Sequence, residues 1–204
     1  MPSRNAIKSD VPESYYHAYA RGINKQTIFP EDADFEYFLR LLARYLSTKQ
    51  AENKLGRVYP TFTSRIELIT YCLMSNHFHL LIYQVDEGSM ASFMKSLLTS
   101  YSKYFNLKYK RSGPLFESRY KAVRIEAQSY LEHISRYIHL NPRYWKNYPY
   151  SSLGYYFKAN AVEWLRPGKI ESLFNGRTQY LSFLDDYEEH KQMLKEIKHE
   201  LADR

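Results

Sequence analysis

Four short runs rich in β-branched and aromatic residues, separated by two long amphipathic stripes, predict an α+β protein. Their order is β-α-β-β-α-β, which is the ferredoxin-like arrangement of one antiparallel sheet. A further helical stretch, rich in tyrosine and stopped by proline, follows the last strand. The expected layering puts two helices on one sheet face and the tyrosine-bearing helix by the other.

The first strand is expected over Tyr15 to Ala20, where the pattern alternates, and Arg21-Gly22 turns the chain. Pro30-Glu31-Asp32-Ala33-Asp34 is an acidic helix start, suited to the positive N-terminal end of a helix dipole. Phe38, Leu41, Leu42 and Tyr45 then give the i, i+3, i+4, i+7 stripe of that helix. Residues 47–60 read as a polar connection. Ile66 to Met74 is the second strand, and Ser75-Asn76 is a tight hairpin turn into the third, His77 to Tyr83.

The longest helical stripe runs through Met90, Phe93, Met94, Leu97, Leu98, Tyr101, Tyr104 and Phe105. It reads as core packing, closed by Lys108, Lys110 and Arg111 at the negative helix end. Ser112-Gly113-Pro114 is a loop, and Glu117 to Ile125 is the expected fourth strand. The tyrosine helix occupies the stretch Ser129 to Asn141, before Pro142. Beyond it, Tyr144, Trp145, Tyr148, Tyr150, Tyr155, Tyr156 and Phe157 are aromatic and irregular. Tyr180, Phe183, Leu184, Tyr187, Leu194, Ile197 and Leu201 predict a final amphipathic helix.

A chain of 204 residues can bury a core without staples, and its single cysteine, Cys72, excludes an internal disulfide framework. No apolar run approaches the roughly 18 residues of a membrane span, and Met1-Pro2-Ser3-Arg4-Asn5 lacks a secretory signal's apolar core. A soluble cytoplasmic protein with no membrane partner is expected. The formal charge is +7, and it is unevenly spread. Residues 151–204 hold 8 Lys+Arg against 9 Asp+Glu, which leaves 21 against 13 in residues 1–150. The basic portion contains every motif described below, which favours a polyanionic partner such as nucleic acid. The 21 tyrosines offer stacking surfaces for bases, although packing accounts for most of them.

The chemistry gathers around Ser75-Asn76-His77-Phe78-His79-Leu80-Leu81-Ile82. Strand side chains alternate, so His77 and His79 share one face while Phe78 and Leu80 pack the other. Two imidazoles on one face can share a metal ion, or can be ordinary strand histidines. In Tyr137-Ile138-His139-Leu140-Asn141-Pro142, Tyr137 and Asn141 stand four apart, one helical turn. An amide oxygen at Asn141 can complete a three-ligand site with the Tyr137 hydroxyl near the ion. The bland alternatives are a helix-end cap for Asn141 and helix-to-sheet packing for Tyr137. Imidazole and amide ligands with open positions suit Mn²⁺, with Mg²⁺ as the other candidate. Tyr130 is the reserve nucleophile. His133 shares the face of Tyr137 but reads as surface, and Glu117 reads as a solvated charge. Arg111, Arg119, Lys121 and Arg124 flank the tyrosine helix in sequence and are the candidate phosphate contacts.

The order histidine-hydrophobe-histidine strand, then a late helix with Tyr-Ile-x-x-Asn-Pro, resembles the single-tyrosine HUH transposases. Within them it most resembles the REP-associated tyrosine transposases. Arg21-Gly22-Ile23-Asn24 followed by Ile28-Phe29, and Tyr148-Pro149-Tyr150-Ser151-Ser152, also look like that family. The likeness covers about residues 14 to 157. It implies catalysis by Tyr137, a metal on His77, His79 and Asn141, and cleavage of single-stranded or hairpin DNA from repeat palindromes. It further implies a 5′-phosphotyrosine link with a free 3′-hydroxyl, and a monomer. On this reading residues 1–13 are a mobile N-terminus, 14–145 the catalytic domain and 146–204 an aromatic and helical extension. Two other classes compete with it. One is a retired transposase that only binds structured DNA or RNA. The other is a metal-dependent hydrolase without a covalent intermediate, a class that usually needs more carboxylate ligands than this region offers.

Overall fold

The computed structural model of the chain describes residues 10–53, 55–157 and 162–186. Strands β1 (Ser14–Arg21), β2 (Ile66–Met74), β3 (His77–Gln84) and β4 (Lys121–Ile125) form one sheet in the order β2-β3-β1-β4. Every pairing is antiparallel. Helices α1 (Asp32–Leu46) and α2 (Ser89–Lys108) cover one face, and α3 (Gln128–His139) lies on the other. This is the expected βαββαβ architecture with its added tyrosine helix.

The sheet alternates cleanly because one face serves each layer. Tyr16, Ala18, Ala20, Phe78, Leu80 and Ile82 point into the core beneath α1 and α2. Leu81 and Cys72 point to the α3 side, where they meet Ile134, Tyr137 and Ile138. The register of β2 shifts between Leu68 and Thr70, which inserts Ile69 into the α3 cluster.

Helix α1 starts with a capping box, in which the Glu31 side chain and Asp34 each accept the other's backbone N–H. Asp34 is fully buried and also accepts from Lys108 Nζ at 2.7 Å, Tyr109 Oη at 2.6 Å and Tyr104 Oη at 3.0 Å. Lys108 therefore does more than complement a dipole: it ties the end of α2 to the start of α1. Removing one partner of a buried ion pair strands the other. Asp34→Ala is expected to cost about 3 kcal/mol, the lower end for a buried pair because Lys108 keeps some solvent. Urea unfolding of the two proteins checks this, and equal midpoints would overturn it.

Three features differ from the sequence expectation by more than one residue. The fourth strand starts at Lys121 rather than Glu117, because Phe116 bridges Gly22 and Glu117 N–H donates to the Arg21 carbonyl before the chain bends. Helix α3 ends at His139 with Leu140 as its cap, so Asn141 lies just outside the helix rather than on its last turn. The residue before a proline is pushed out of the helical region, which accounts for the early stop. The irregular segment after Pro142 contains a 3-10 turn at Trp145–Asn147 and a short helix, α4 (Leu153–Phe157).

That segment also pairs with the sheet. Leu73 N–H donates to the Tyr150 carbonyl and Ser152 N–H to the Tyr71 carbonyl. Short α5 (Gly168–Glu171) and α6 (Arg177–Asp185) follow, and Ile170, Tyr180 and Leu184 complete the α3-side cluster. Residues 1–9, and the part of the expected final helix beyond residue 186, lie outside the described residues. Among the described residues, no helix is long and apolar enough to cross a membrane.

Candidate functional site

The site is built where the start of β3 meets the end of β1 beneath α3. The two-residue turn Ser75-Asn76 sends β2 back into β3, so the histidines open the returning strand. Their rings stand on the same face, with centroids 5.0 Å apart. In the ladder, His77 lies opposite Arg21 and His79 opposite Tyr19. Gly22 makes this junction possible. Its N–H donates to the Asn76 carbonyl at 2.9 Å, and a Cβ there would sit 2.3 Å from the Gln26 carbonyl oxygen.

From the other side α3 lowers Tyr137 onto the histidines, its ring centroid 5.3 Å from that of His79. The Asn141 side chain interacts with both His77 and the Tyr137 hydroxyl, although it hangs one residue past the helix cap. The structure thus brings together Tyr137, His77, His79 and Asn141, the four residues that sequence spacing singled out.

Burial keeps the imidazoles neutral. It drives His77 down to about 4, helped by the Arg21 charge and opposed by the Asn141 hydrogen bond. His79 is pushed well below its ordinary value, first by burial and then by His17, His77 and Arg21. Neutral imidazole is the form that donates a lone pair to a metal. The Tyr137 hydroxyl is raised to about 12, by burial first; the Asn141 hydrogen bond opposes this, Tyr19 and Cys72 add to it, and Arg21 opposes it.

The donor atoms fit a divalent ion. His77 Nδ1 lies 2.6 Å from Asn76 Oδ1, so an ion would have to meet its Nε2. His79 Nε2 is buried with no hydrogen-bond partner. Among the described residues, no group of three or more His, Cys, Asp or Glu side chains can hold a metal ion. An ion on the two histidines would need a third ligand of another kind, and the Asn141 side chain, which interacts with His77, carries an amide oxygen. Two imidazoles and one amide oxygen would leave open coordination positions on such an ion.

The basic candidates are not equivalent. Lys121 pairs with Tyr19 across the ladder and so shares the histidine face. Arg124 pairs with Tyr16 on the opposite face and reaches Glu126 at 3.4 Å. Arg119 lines an open groove between α2 and residues 114–120, together with Lys95 and Lys103. Arg111 donates to the Pro114 carbonyl at 3.3 Å and lies over the Phe105 ring. Tyr130 is half-buried against the α3 cluster, His133 packs near Phe183, and Glu117 is exposed.

Sequence reasoning missed what β1 contributes. His17, Tyr19 and Arg21 stand at every second position on the histidine face, and that alternation was the available signal. It also missed His139, whose Nδ1 lies 2.8 Å from Tyr180 Oη and whose Nε2 lies 2.8 Å from Ser152 Oγ. This one ring joins α3, α6 and the segment paired to β2.

Burial pushes His17 and His139 each down to about 3 from the ordinary 6.5. Below pH 6.5 the unfolded chain takes up protons that the folded chain refuses until about pH 3. Stability is therefore full above the unfolded value and is lost as pH falls toward the folded one. Near pH 5 each histidine is expected to cost about 2 kcal/mol. Urea midpoints compared at roughly pH 7.5 and pH 5 check this linkage; a midpoint that does not fall would overturn it.

A family model described as "Transposase IS200 like" matches residues 11–141 of the chain. Among solved structures, the chain is similar to a REP-associated tyrosine transposase bound to a REP hairpin, with 13% identity and a TM-score of 0.50. That similarity covers 72% of this chain and 80% of the other. It is also similar to a putative transposase from Deinococcus radiodurans, at 16% identity and a TM-score of 0.38 over 68% of this chain and 95% of that one. No curated protein matches it.

Proposed function

The chain belongs to the IS200-like transposases, and on that premise we propose that it cuts and rejoins single-stranded or hairpin DNA through a covalent bond to Tyr137. The observation that carries this reading is the convergence of Tyr137, His77, His79 and Asn141 at one point on the sheet.

In the proposed reaction the Tyr137 oxygen attacks a phosphodiester. A bond forms between that oxygen and phosphorus, and the bond from phosphorus to the 3′ oxygen breaks. The phenolic proton is lost and the departing oxygen gains one, which leaves a 5′-phosphotyrosine and a 3′-hydroxyl. The link conserves the energy of the bond it replaces, so rejoining to another 3′ end needs no nucleotide cofactor. His77, His79 and the Asn141 amide would hold a Mg²⁺ or Mn²⁺ ion, which when bound supplies Lewis-acid polarisation of the phosphate. The Asn141 hydrogen bond favours the anionic form of Tyr137, against the burial that opposes it. Arg21 and Lys121, at the edges of the same face, suit the flanking phosphates.

A hairpin or single strand is the proposed substrate, acted on by a monomer. The REP hairpin held by the structurally similar transposase supports the hairpin. The test is incubation with a pool of single-stranded DNA and Mn²⁺, denaturation, and sequencing of strands that stay attached to protein. Hairpin-bearing strands joined through their 5′ ends are expected. Attachment through 3′ ends, or none under any divalent ion, would overturn the proposal.

A further inference from the structure

His17 has no part in the reaction above, yet it is fully buried on β1, beside the histidines. Its Nε2 lies 2.9 Å from His79 Nδ1, and the two rings are stacked with centroids 5.0 Å apart. The remaining nitrogen of each ring, His79 Nε2 and His17 Nδ1, is buried without a hydrogen-bond partner.

A neutral imidazole carries one N–H and one lone pair. One hydrogen bond between two such rings permits two arrangements. If His17 Nε2–H donates, His79 must carry its proton on Nε2, and that nitrogen cannot bind a cation. If His79 Nδ1–H donates, His17 Nε2 accepts, and the lone pair of His79 Nε2 stays free. The neighbouring ligand shows the same provision. Asn76 donates its amide nitrogen to the Lys25 carbonyl at 3.2 Å, which turns its oxygen toward His77 Nδ1 at 2.6 Å. An amide oxygen only accepts, so His77 carries its proton on Nδ1 and also presents Nε2.

We propose that His17 is a positioning residue: it accepts the Nδ1 proton of His79 and so holds the His79 Nε2 lone pair toward a divalent cation, as Asn76 does for His77. This role rests on the reading of His77, His79 and Asn141 as the ion's ligands. It accounts for a histidine in a strand interior that would otherwise suit an apolar residue. An apolar side chain there would leave the His79 Nδ1–H without an acceptor in a dry pocket. The partners of metal-bound histidines fix tautomer and ring orientation in this way, and their loss typically weakens metal affinity about 10- to 100-fold.

Mn²⁺ binding to the full chain, followed by the electron paramagnetic resonance of the free ion, tests the role without any cleavage. His17→Phe keeps a ring against Tyr137, whose centroid is 5.9 Å away, and removes the acceptor. It is expected to weaken Mn²⁺ binding about 10- to 100-fold. His17→Gln returns an acceptor oxygen and should recover part of that loss. In a His79→Ala background, His17→Phe should add nothing, because its effect passes through His79. Unchanged affinity in folded His17→Phe protein, or the same fold-loss in the His79→Ala background, overturns the proposal. A different result, wild type binding Mn²⁺ no better than His77→Ala with His79→Ala, overturns the ligand reading itself and His17's role with it. If His17→Phe does not fold, ¹⁵N spectra of histidine-labelled wild type with Mg²⁺ decide. A proton on His79 Nδ1 is expected, and a proton on His79 Nε2 overturns the assignment.

Discussion

Tyr137→Phe is expected to eliminate both strand cleavage and the covalent protein–DNA adduct, at least about a thousandfold below wild type. The substitution removes one oxygen and nothing else. The ring keeps its place among Leu81, Ile134 and Ile138, and its edge contact with His79 survives. The fold, metal binding and DNA binding should therefore persist, which separates loss of the nucleophile from loss of the site. Tyr130→Phe is the matched control and should leave an active protein. The measurement is electrophoresis of labelled hairpin DNA after denaturation. An adduct formed by Tyr137→Phe at the wild-type rate would overturn the assignment. An adduct lost in Tyr130→Phe instead would move the nucleophile one face around α3 and remove the case for Asn141.

The second large effect is expected from the histidines. His77→Ala combined with His79→Ala should abolish Mn²⁺ binding and cleavage together, and a chelator should do the same to wild type. The two positions carry different structural costs. His79 is almost fully enclosed among His17, Tyr19 and Tyr137, so its truncation opens a cavity and strands the His17 nitrogen. His77 is only partly buried and loses its hydrogen bonds to Asn76 and Asn141. The single variant His77→Ala is thus the cleaner probe: folded like wild type, but with cleavage and Mn²⁺ affinity both down by about two orders of magnitude or more. Cleavage by the double variant at the wild-type rate would remove the metal from the account.

Some of this site was legible in the sequence because its signals are local. Strand alternation puts His77 and His79 on one face, and a separation of four carries Tyr137 toward Asn141. The tight Ser75-Asn76 turn fixes which end of the strand holds the histidines. What was not legible depends on which strand pairs with which. His17 and Arg21 join the site only because β1 lies between β3 and β4, a long-range pairing that no window of sequence displays. The same pairing separates Lys121 from Arg124, since one step of register decides the face. Asn141 illustrates a different limit. Its spacing from Tyr137 predicts one helical turn, and the helix stops first, yet the side chain still meets Tyr137 and His77. Position in the sequence makes Lys108 a helix-end charge, and its attachment to buried Asp34 depends on the packing of α1 on α2.

Tyr137 and Asn141 stand late in the chain and the two site histidines stand early, with α2 and β4 between them. During synthesis His77 and His79 leave the ribosome some sixty residues ahead of Tyr137, as the distance between them in the chain requires. A nascent chain that ends before Tyr137 therefore carries the two histidines without the tyrosine or the Asn141 amide. On the proposed mechanism such a chain has neither the nucleophile nor the third ligand, so the proposed capacity to break DNA arrives only after α3 and Asn141 have been made.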